Sequence, residues 1–392
     1  MPTLILKRGK EQRILSGHPW IYAGEVKKTR GEVTDGDVVR VVDHAGRHLG
    51  MALVNSRSKI LARLYTRGRE VLDRDFLRRR LREARQFRRD FLRLGPEGGV
   101  RWVFSEGDRL PGLIVDQYGG VVVLQLLTLP MDLRRDLLVE LIHEAFGPVA
   151  VVERSDVGSR VYEGLEPVKQ VLAGQVAGPV TIEENGTRYL VDVLGGQKTG
   201  FFLDQRENRE RVRRYAPGRR VLDAFCYTGG FAVAAAKAGA TQVVALDSSR
   251  DALTVAEENT SLNGVAGKCE FEEVNVFDRL RSLQKEGAKF DLVVLDPPAF
   301  AKNKASVAGA FRGYKEVNLR ALKLLSSGGL LLTCSCSQHM TETLFERMLV
   351  EAVRDARVDA TVLRRTTQAA DHPIVLGMPE SQYLKCFWLR VC

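Results

Sequence analysis

Apolar positions along this chain change their period twice, and each change predicts a different architecture. Through the first 70 residues, short apolar runs alternate with polar positions and Gly-rich turns. The turn-rich Gly31–Asp37 precedes Val38-Val39-Arg40-Val41-Val42, and Asp43-His44-Ala45-Gly46-Arg47 leads into Leu49-Gly50-Met51-Ala52-Leu53-Val54. Such runs predict half-buried strands joined by hairpins, here a small β-barrel. Between Asp75 and Arg93 the period lengthens, and Phe76, Leu77, Leu81, Ala84, Phe87, Phe91 and Leu92 make a helical stripe. The opposite face carries Arg78, Arg79, Arg82, Arg85, Arg88, Arg89 and Arg93. That face reads as solvated surface, with RNA contact as the alternative.

From Arg101 to about Pro179 the pattern is strand, helix, strand: Val121–Leu127, Met131–Phe146 and Val149–Glu153. A hairpin follows, Thr181–Glu184 and Arg188–Val193 around Asn185-Gly186, a dipeptide suited to a tight turn. Beyond it strands and helices alternate to the end, as in a doubly wound sheet. The expected organisation is therefore multidomain. Residues 1–70 form a β-barrel, 71–179 a central α+β domain, and 180–392 a C-terminal α/β Rossmann-like domain.

Composition adds bounds to this outline. A chain of 392 residues exceeds one ordinary core. Its longest apolar run, Val121–Leu127, is strand-sized and interrupted by Gln125, far short of a membrane span. Charge at the N-terminus follows the apolar Leu4-Ile5-Leu6, the reverse of a secretory signal, so a cytoplasmic location is expected. The six cysteines show no CxxC spacing, which argues against a zinc ribbon or a disulfide framework and for reduced thiols. Lys and Arg outnumber Asp and Glu by 59 to 49. That excess fits an Arg-rich solvated surface as well as a polyanion partner.

Chemistry enters with the C-terminal half. Arg220-Val221-Leu222-Asp223-Ala224 reads as a strand, Phe225–Gly230 as a Gly turn, and Ala232–Ala238 as a helix. Gly229 and Gly230 permit close backbone approach, and the helix N-terminus offers free N–H groups. A second strand, Thr241–Leu246, ends in Asp247, the place where Rossmann-type folds hold ribose hydroxyls. A third leads to Asn275-Val276-Phe277-Asp278. The turn is not GxGxxG, which weighs against a nicotinamide dehydrogenase. The string Asp223-x-Phe225-x-x-x-Gly229-Gly230-Phe231 instead resembles motif I of class I S-adenosylmethionine (SAM) methyltransferases. On that resemblance Asp247 is the ribose-binding acid and Asp278 contacts the adenine amine. Phe225 and Phe231 serve equally as core residues or cofactor contacts.

Two further apolar runs end in reactive groups. Leu292-Val293-Val294-Leu295 runs into Asp296-Pro297-Pro298-Ala299-Phe300, and Leu330-Leu331-Leu332 into Thr333-Cys334-Ser335-Cys336-Ser337. Asp296-Pro297-Pro298 resembles motif IV, which holds the acceptor base. Ala299 stands where amino-methylating enzymes place a stacking aromatic, which weakens that chemistry. Carbon-5 of cytosine becomes nucleophilic only after addition at carbon-6, a task for a thiolate. An acid near ring nitrogen-3 assists, a role suited to Asp296. RNA cytosine-5 methyltransferases carry a Thr-Cys-Ser nucleophile a fixed distance past a Gly-Gly turn. Counting from Gly328-Gly329, Cys336 falls there, with Cys334 a secondary candidate on the same strand face. The structural alternative is that both are small buried hydrophobes.

The combined strings resemble the bacterial 23S ribosomal RNA cytosine-5 methyltransferase I family over almost the whole chain. The segments that carry the likeness are Gly17–Tyr22, Ser105–Asp116, Gly195–Arg206, Gly313-Tyr314-Lys315, Asp371-His372-Pro373 and Tyr383-Leu384-Lys385. The resemblance implies an N-terminal PUA domain, SAM as cofactor, 23S ribosomal RNA as partner, and a homodimer. It also places Gln197, Phe202 and Arg206 at the cofactor. No Cys follows the motif IV prolines, so the group that removes the carbon-5 proton is unassigned. Two alternatives stay open: methylation of a guanine ring nitrogen in rRNA, and a non-catalytic RNA-binding module for ribosome assembly.

Overall fold

A computed structural model describes residues 1–301 and 303–392. The chain divides into two compact units. The first comprises Met1–Ile182, Val191–Asp204 and Ala370–Ser381; the second comprises Glu183–Leu190, Gln205–Ala369 and Gln382–Cys392. No described helix is long and apolar enough to cross a membrane.

The first unit holds two sheets. Six strands between Thr3 and Thr66 make one, with a short helix, Glu11–Leu15, inserted after the first strand. Its inward apolar positions, among them Leu4, Leu6, Ile21, Val39, Val41 and Ala52, form a separate core. The second sheet has five strands, Val100–Phe104, Leu113–Tyr118, Val121–Leu126, Ala150–Ser155 and Val168–Ala173, hydrogen-bonded in chain order. Helix Arg135–Phe146 makes the crossover between the two parallel strands, Val121–Leu126 and Ala150–Ser155.

The Arg-rich helix departs from its expected span. It runs from Arg74 to Gln86, capped by the Asp73 carboxylate, and then loosens into a π turn over Phe87–Phe91. Its basic face is not uniformly solvated. Arg74 and Arg78 pair with Glu140 and Glu144, and Arg85 donates to the Ala145 carbonyl. Arg88 is fully buried: it holds Asp108 through both terminal nitrogens and donates to the carbonyls of Ala84, Arg101 and Asp371. Periodicity placed Arg88 on the outer face because it assumes regular helical spacing, which the π turn breaks.

The second unit is built on a seven-stranded sheet. In chain order its strands are β1 (Arg220–Ala224), β2 (Gln242–Asp247), β3 (Cys269–Glu273), β4 (Phe290–Leu295), β5 (Leu325–Ser335), β6 (Ala360–Thr366) and β7 (Lys385–Val391). Their spatial order is β3-β2-β1-β4-β5-β7-β6. Strands β1 to β5 pair in parallel, whereas β7 runs antiparallel to both β5 and β6. The helices are α1 (Arg206–Tyr215), α2 (Gly230–Lys237), α3 (Arg250–Leu262), α4 (Val276–Lys285), α5 (Val307–Leu324) and α6 (Glu342–Ala356). Apolar runs in β1, β4 and β5 are buried, as helices on both faces of a parallel sheet require. Side-chain caps from Ser249, Asn275 and Thr341 start α3, α4 and α6 at fixed points. The reversed β7, lying between β5 and β6, departs from the six-stranded dehydrogenase order.

Candidate functional site

Parallel strands present their carboxyl ends at one edge, where the following turns gather chemistry. Here β1 pairs with β2 on one side and β4 on the other, and β4 pairs with β5. Asp223, Asp247, Asp296 and Cys336 are therefore delivered to the same edge by four adjacent strands.

The β1 turn is tightly wound. Phe225, Tyr227 and Gly229 all adopt left-handed backbone, with φ of 68°, 50° and 76°. For Phe and Tyr this conformation is strained, and such strain concentrates where a backbone must be held for a ligand. Gly229 is required on space as well, because a Cβ there would stand 3.1 Å from the Ala256 Cβ. Asp247 braces this turn: its carboxylate accepts from Tyr227 N at 2.8 Å and from Ser249 N at 3.0 Å. That acid therefore has a structural task in addition to its expected ribose contact.

Asp223 is fully buried. Its Oδ2 accepts from Ala232 N in the first turn of α2 at 2.9 Å, and its Oδ1 has no hydrogen-bond partner among the described residues. Burial, reinforced by the charges of Asp296 and Asp247, pushes its carboxyl up to about 8. A buried polar atom without a partner calls for a ligand or water to complete it. This atom and the left-handed turn fit a cofactor seated at the β1 edge.

Other expected contacts are more dispersed. Asp278 lies on the first turn of α4, its side chain 73% exposed and paired with Arg281. Gln197 and Phe202 belong to the first unit, where Gln197 is exposed and the Phe202 ring lies 4.4 Å from the Lys198 ammonium. Arg206 opens α1 in the second unit, with Glu184 at 3.8 Å. Phe231 is buried in the core. Phe225 packs edge-on against Phe277 and Phe300, each at 6.3 Å. Phe300 in turn lies 4.6 Å from the Tyr314 ring. Gly313 leaves room for this packing, since a Cβ there would stand 3.3 Å from Phe300.

The strand end separates the two cysteines. Cys334 lies within β5, opposite Cys386 of β7, and is fully buried. Burial, then Cys386, then Asp296 push its thiol well above the ordinary value, so it stays protonated. Cys336 is the first residue past β5 and is partly exposed. Around it the chain is pinned by Ser337. That hydroxyl meets Tyr314 Oη at 2.9 Å and accepts from Ala301 N at 3.1 Å. Lys385 donates to the Ser337 carbonyl at 2.7 Å. Tyr314 and Lys385 were carried in the sequence only as parts of short strings, without a role. At 22 and 49 residues from Cys336, neither gave a local signal.

Two sequence strings have structural explanations. Asp371 accepts from Arg101 N at 3.2 Å and meets His372 Nδ1 at 2.8 Å, both residues being buried in the first unit. Gly17-His18-Pro19 lines a cavity of about 520 Å³ in that unit, together with Tyr65, Arg67 and Arg109.

Comparison with known proteins defines the class. The family described as S-adenosylmethionine-dependent methyltransferase matches residues 112–376, and a PUA-like domain matches residues 4–67. A SAM-dependent methyltransferase from Streptococcus mutans superposes over the full length of both chains with a TM-score of 0.85 at 23% identity. A methyltransferase complexed with SAH also covers both chains fully, with a TM-score of 0.87 at 23% identity. The chain is thus a SAM-dependent methyltransferase with a PUA-like N-terminal domain, and its cofactor is SAM.

The "Ribosomal RNA large subunit methyltransferase I" of Klebsiella pneumoniae (strain 342) is 41% identical over 393 residues, covering 100% of this chain and 98% of its own. The protein of the same name from Cronobacter sakazakii is 41% identical over 391 residues, with 99% of each chain covered. This chain belongs to the ribosomal RNA large subunit methyltransferase I family.

Proposed function

We propose that this protein methylates carbon-5 of a cytosine in 23S ribosomal RNA through a covalent adduct between Cys336 and ring carbon-6. The observation that carries the reading is a partly exposed thiol at the carboxyl end of β5, on the strand beside the one that ends in Asp296. Methylation of a guanine ring nitrogen uses no such thiol. The names of the relatives supply ribosomal RNA of the large subunit.

Asp223, Phe225, Gly229 and Asp247 would hold the cofactor at the β1 and β2 edge, with Asp278 and Arg206 as further contacts. When bound, SAM supplies an electrophilic methyl group on a sulfonium. Cys336 as thiolate forms a bond to carbon-6, and the ring electrons move toward carbon-5 and nitrogen-3. Asp296 holds the proton at nitrogen-3, stabilising that charge. After carbon-5 has gained its methyl group, loss of its proton restores the double bond and expels the Cys336 sulfur. The PUA-like residues 4–67 add RNA contact.

Mass-spectrometric mapping of 23S rRNA from a deletion strain, with purified protein added back, tests the reaction. One cytosine should gain a methyl group with wild type and none with Cys336→Ala, while SAM binding by calorimetry is retained. Full activity of Cys336→Ala would overturn the covalent route. A methylated guanine would favour the ring-nitrogen reading, and no SAM binding the assembly module. The homodimer belongs to the same proposal, and light scattering that gives a monomer mass would remove it.

A further inference from the structure

Lys385 begins β7 directly across from Ser335, the last residue of β5 before Cys336. Its side chain is nearly excluded from water, at 5% exposure for the residue. The ammonium donates to the carbonyls of Ser337 at 2.7 Å and Tyr383 at 2.9 Å. Among the described residues no carboxylate lies within ion-pairing distance of it. A buried ammonium satisfied only by neutral carbonyls is expensive to maintain, because the desolvated charge lacks a counter-charge. The titratable groups whose charge acts on it are, in order of effect, Cys336 at the end of β5, Cys386 next along β7, and Glu342 in the first turn of α6. Cys386 is itself buried against Cys334, which leaves the partly exposed Cys336 as the accessible site of negative charge.

We propose that Lys385 is the positioning residue that stabilises the Cys336 thiolate and fixes the loop carrying it. Resting on the reading of Cys336 as nucleophile, this names the group that makes the nucleophile available. The thiol proton leaves to solvent, and the negative sulfur faces the ammonium. When the sulfur bonds to carbon-6 its charge passes to the ring, and when it is expelled the charge returns to the same ammonium. Lys385 therefore exchanges no proton in the cycle. Through the Ser337 carbonyl it also holds the chain one residue past Cys336, so charge and position are set by one side chain. Burial brings the Lys385 ammonium down to about 8, so it remains mainly charged at neutral pH.

The test is peptide-resolved alkylation of the full-length protein by iodoacetamide between pH 6 and 9, for wild type, Lys385→Met and Lys385→Arg. Loss of a neighbouring cation should slow Cys336 alkylation at pH 7 by about tenfold in Lys385→Met. Arg should restore most of the rate, and the exposed Cys392 should not change. In the rRNA assay the acid limb of the kcat profile should move to higher pH in Lys385→Met. Equal Cys336 alkylation and an unchanged profile would overturn the proposal. A wild-type alkylation midpoint at or above that of Cys392 would overturn it too, whether or not the variants fold. Full methylation by Cys336→Ala would instead refute the nucleophile while leaving the alkylation result standing.

Discussion

Replacing Asp223 by Asn should change how stability depends on pH more than it changes stability itself. The native carboxyl titrates near 8 against an ordinary value of 3.8, mainly because it is fully buried. The sign follows from proton counting: between about pH 4 and 8 the native state holds a proton that the unfolded chain has released. Stability associated with this group is therefore fully present below about pH 4 and is lost as pH rises through about 8. Each pH unit in that window is worth about 1.4 kcal/mol, giving about 6 kcal/mol across all of it as a ceiling. Asn keeps an acceptor for the Ala232 N–H but cannot ionise. Its amide nitrogen in place of the partnerless Oδ1 costs about 1–3 kcal/mol, independent of pH.

The assay is urea unfolding without cofactor at pH 6, 7 and 8. By pH 6 the wild type has already lost about 3 kcal/mol that the variant never loses. With its fixed cost of about 1–3 kcal/mol, Asp223→Asn should therefore start level with the wild type or up to about 2 kcal/mol more stable. Between pH 6 and 8 the difference between the two proteins should then move by about 2 kcal/mol in favour of the variant. Parallel curves for wild type and variant would refute the reasoning, because they would mean that Asp223 is ionised in the native protein at all three values.

Three further outcomes follow from individual contacts. Arg88→Met should destabilise the first unit by about 3–5 kcal/mol, since it strands Asp108 and several buried carbonyls; thermal unfolding reads the loss. Gly229→Ala should add about 1–2 kcal/mol of left-handed strain and weaken SAM binding by about tenfold in calorimetry. Cys334→Ala should cost about 1 kcal/mol from a small cavity and retain methylation within about twofold, whereas loss of activity would reverse the roles of the two cysteines.

The α/β half was legible because parallel strands buried on both faces leave continuous apolar runs, and each run here ended in a polar residue of unusual type. Leu292–Leu295 before Asp296 and Leu330–Leu332 before the cysteines gave both the strands and the edge. The Arg88 environment was not legible, because its partners Asp108 and Asp371 come from 20 and 283 residues away. Nor could a pattern of residue types reveal that Phe225 and Tyr227 sit in left-handed backbone. Lys385 escaped for a related reason: in sequence a lysine beside an apolar strand reads as a solvated end. Its burial depends on β7 reversing direction to lie beside β5.

That reversal has a chemical consequence along the sheet edge. At β1, β2 and β4 the edge carries Asp223, Asp247 and Asp296, close enough that two of these charges raise the third carboxyl. Such a region favours a cation, which is what the sulfonium of SAM is. At β5 and β7 the carboxylates give way to a buried ammonium, Lys385, next to a thiol. That region favours an anionic sulfur. Were β7 parallel to β5, Lys385 would lie at the opposite end of the sheet, away from Ser337 and the chain that carries Cys336. On the proposed roles of Cys336 and Lys385, the antiparallel strand that separates this fold from the dehydrogenase order would also place a cation beside the nucleophile, at the edge that carries the carboxylates.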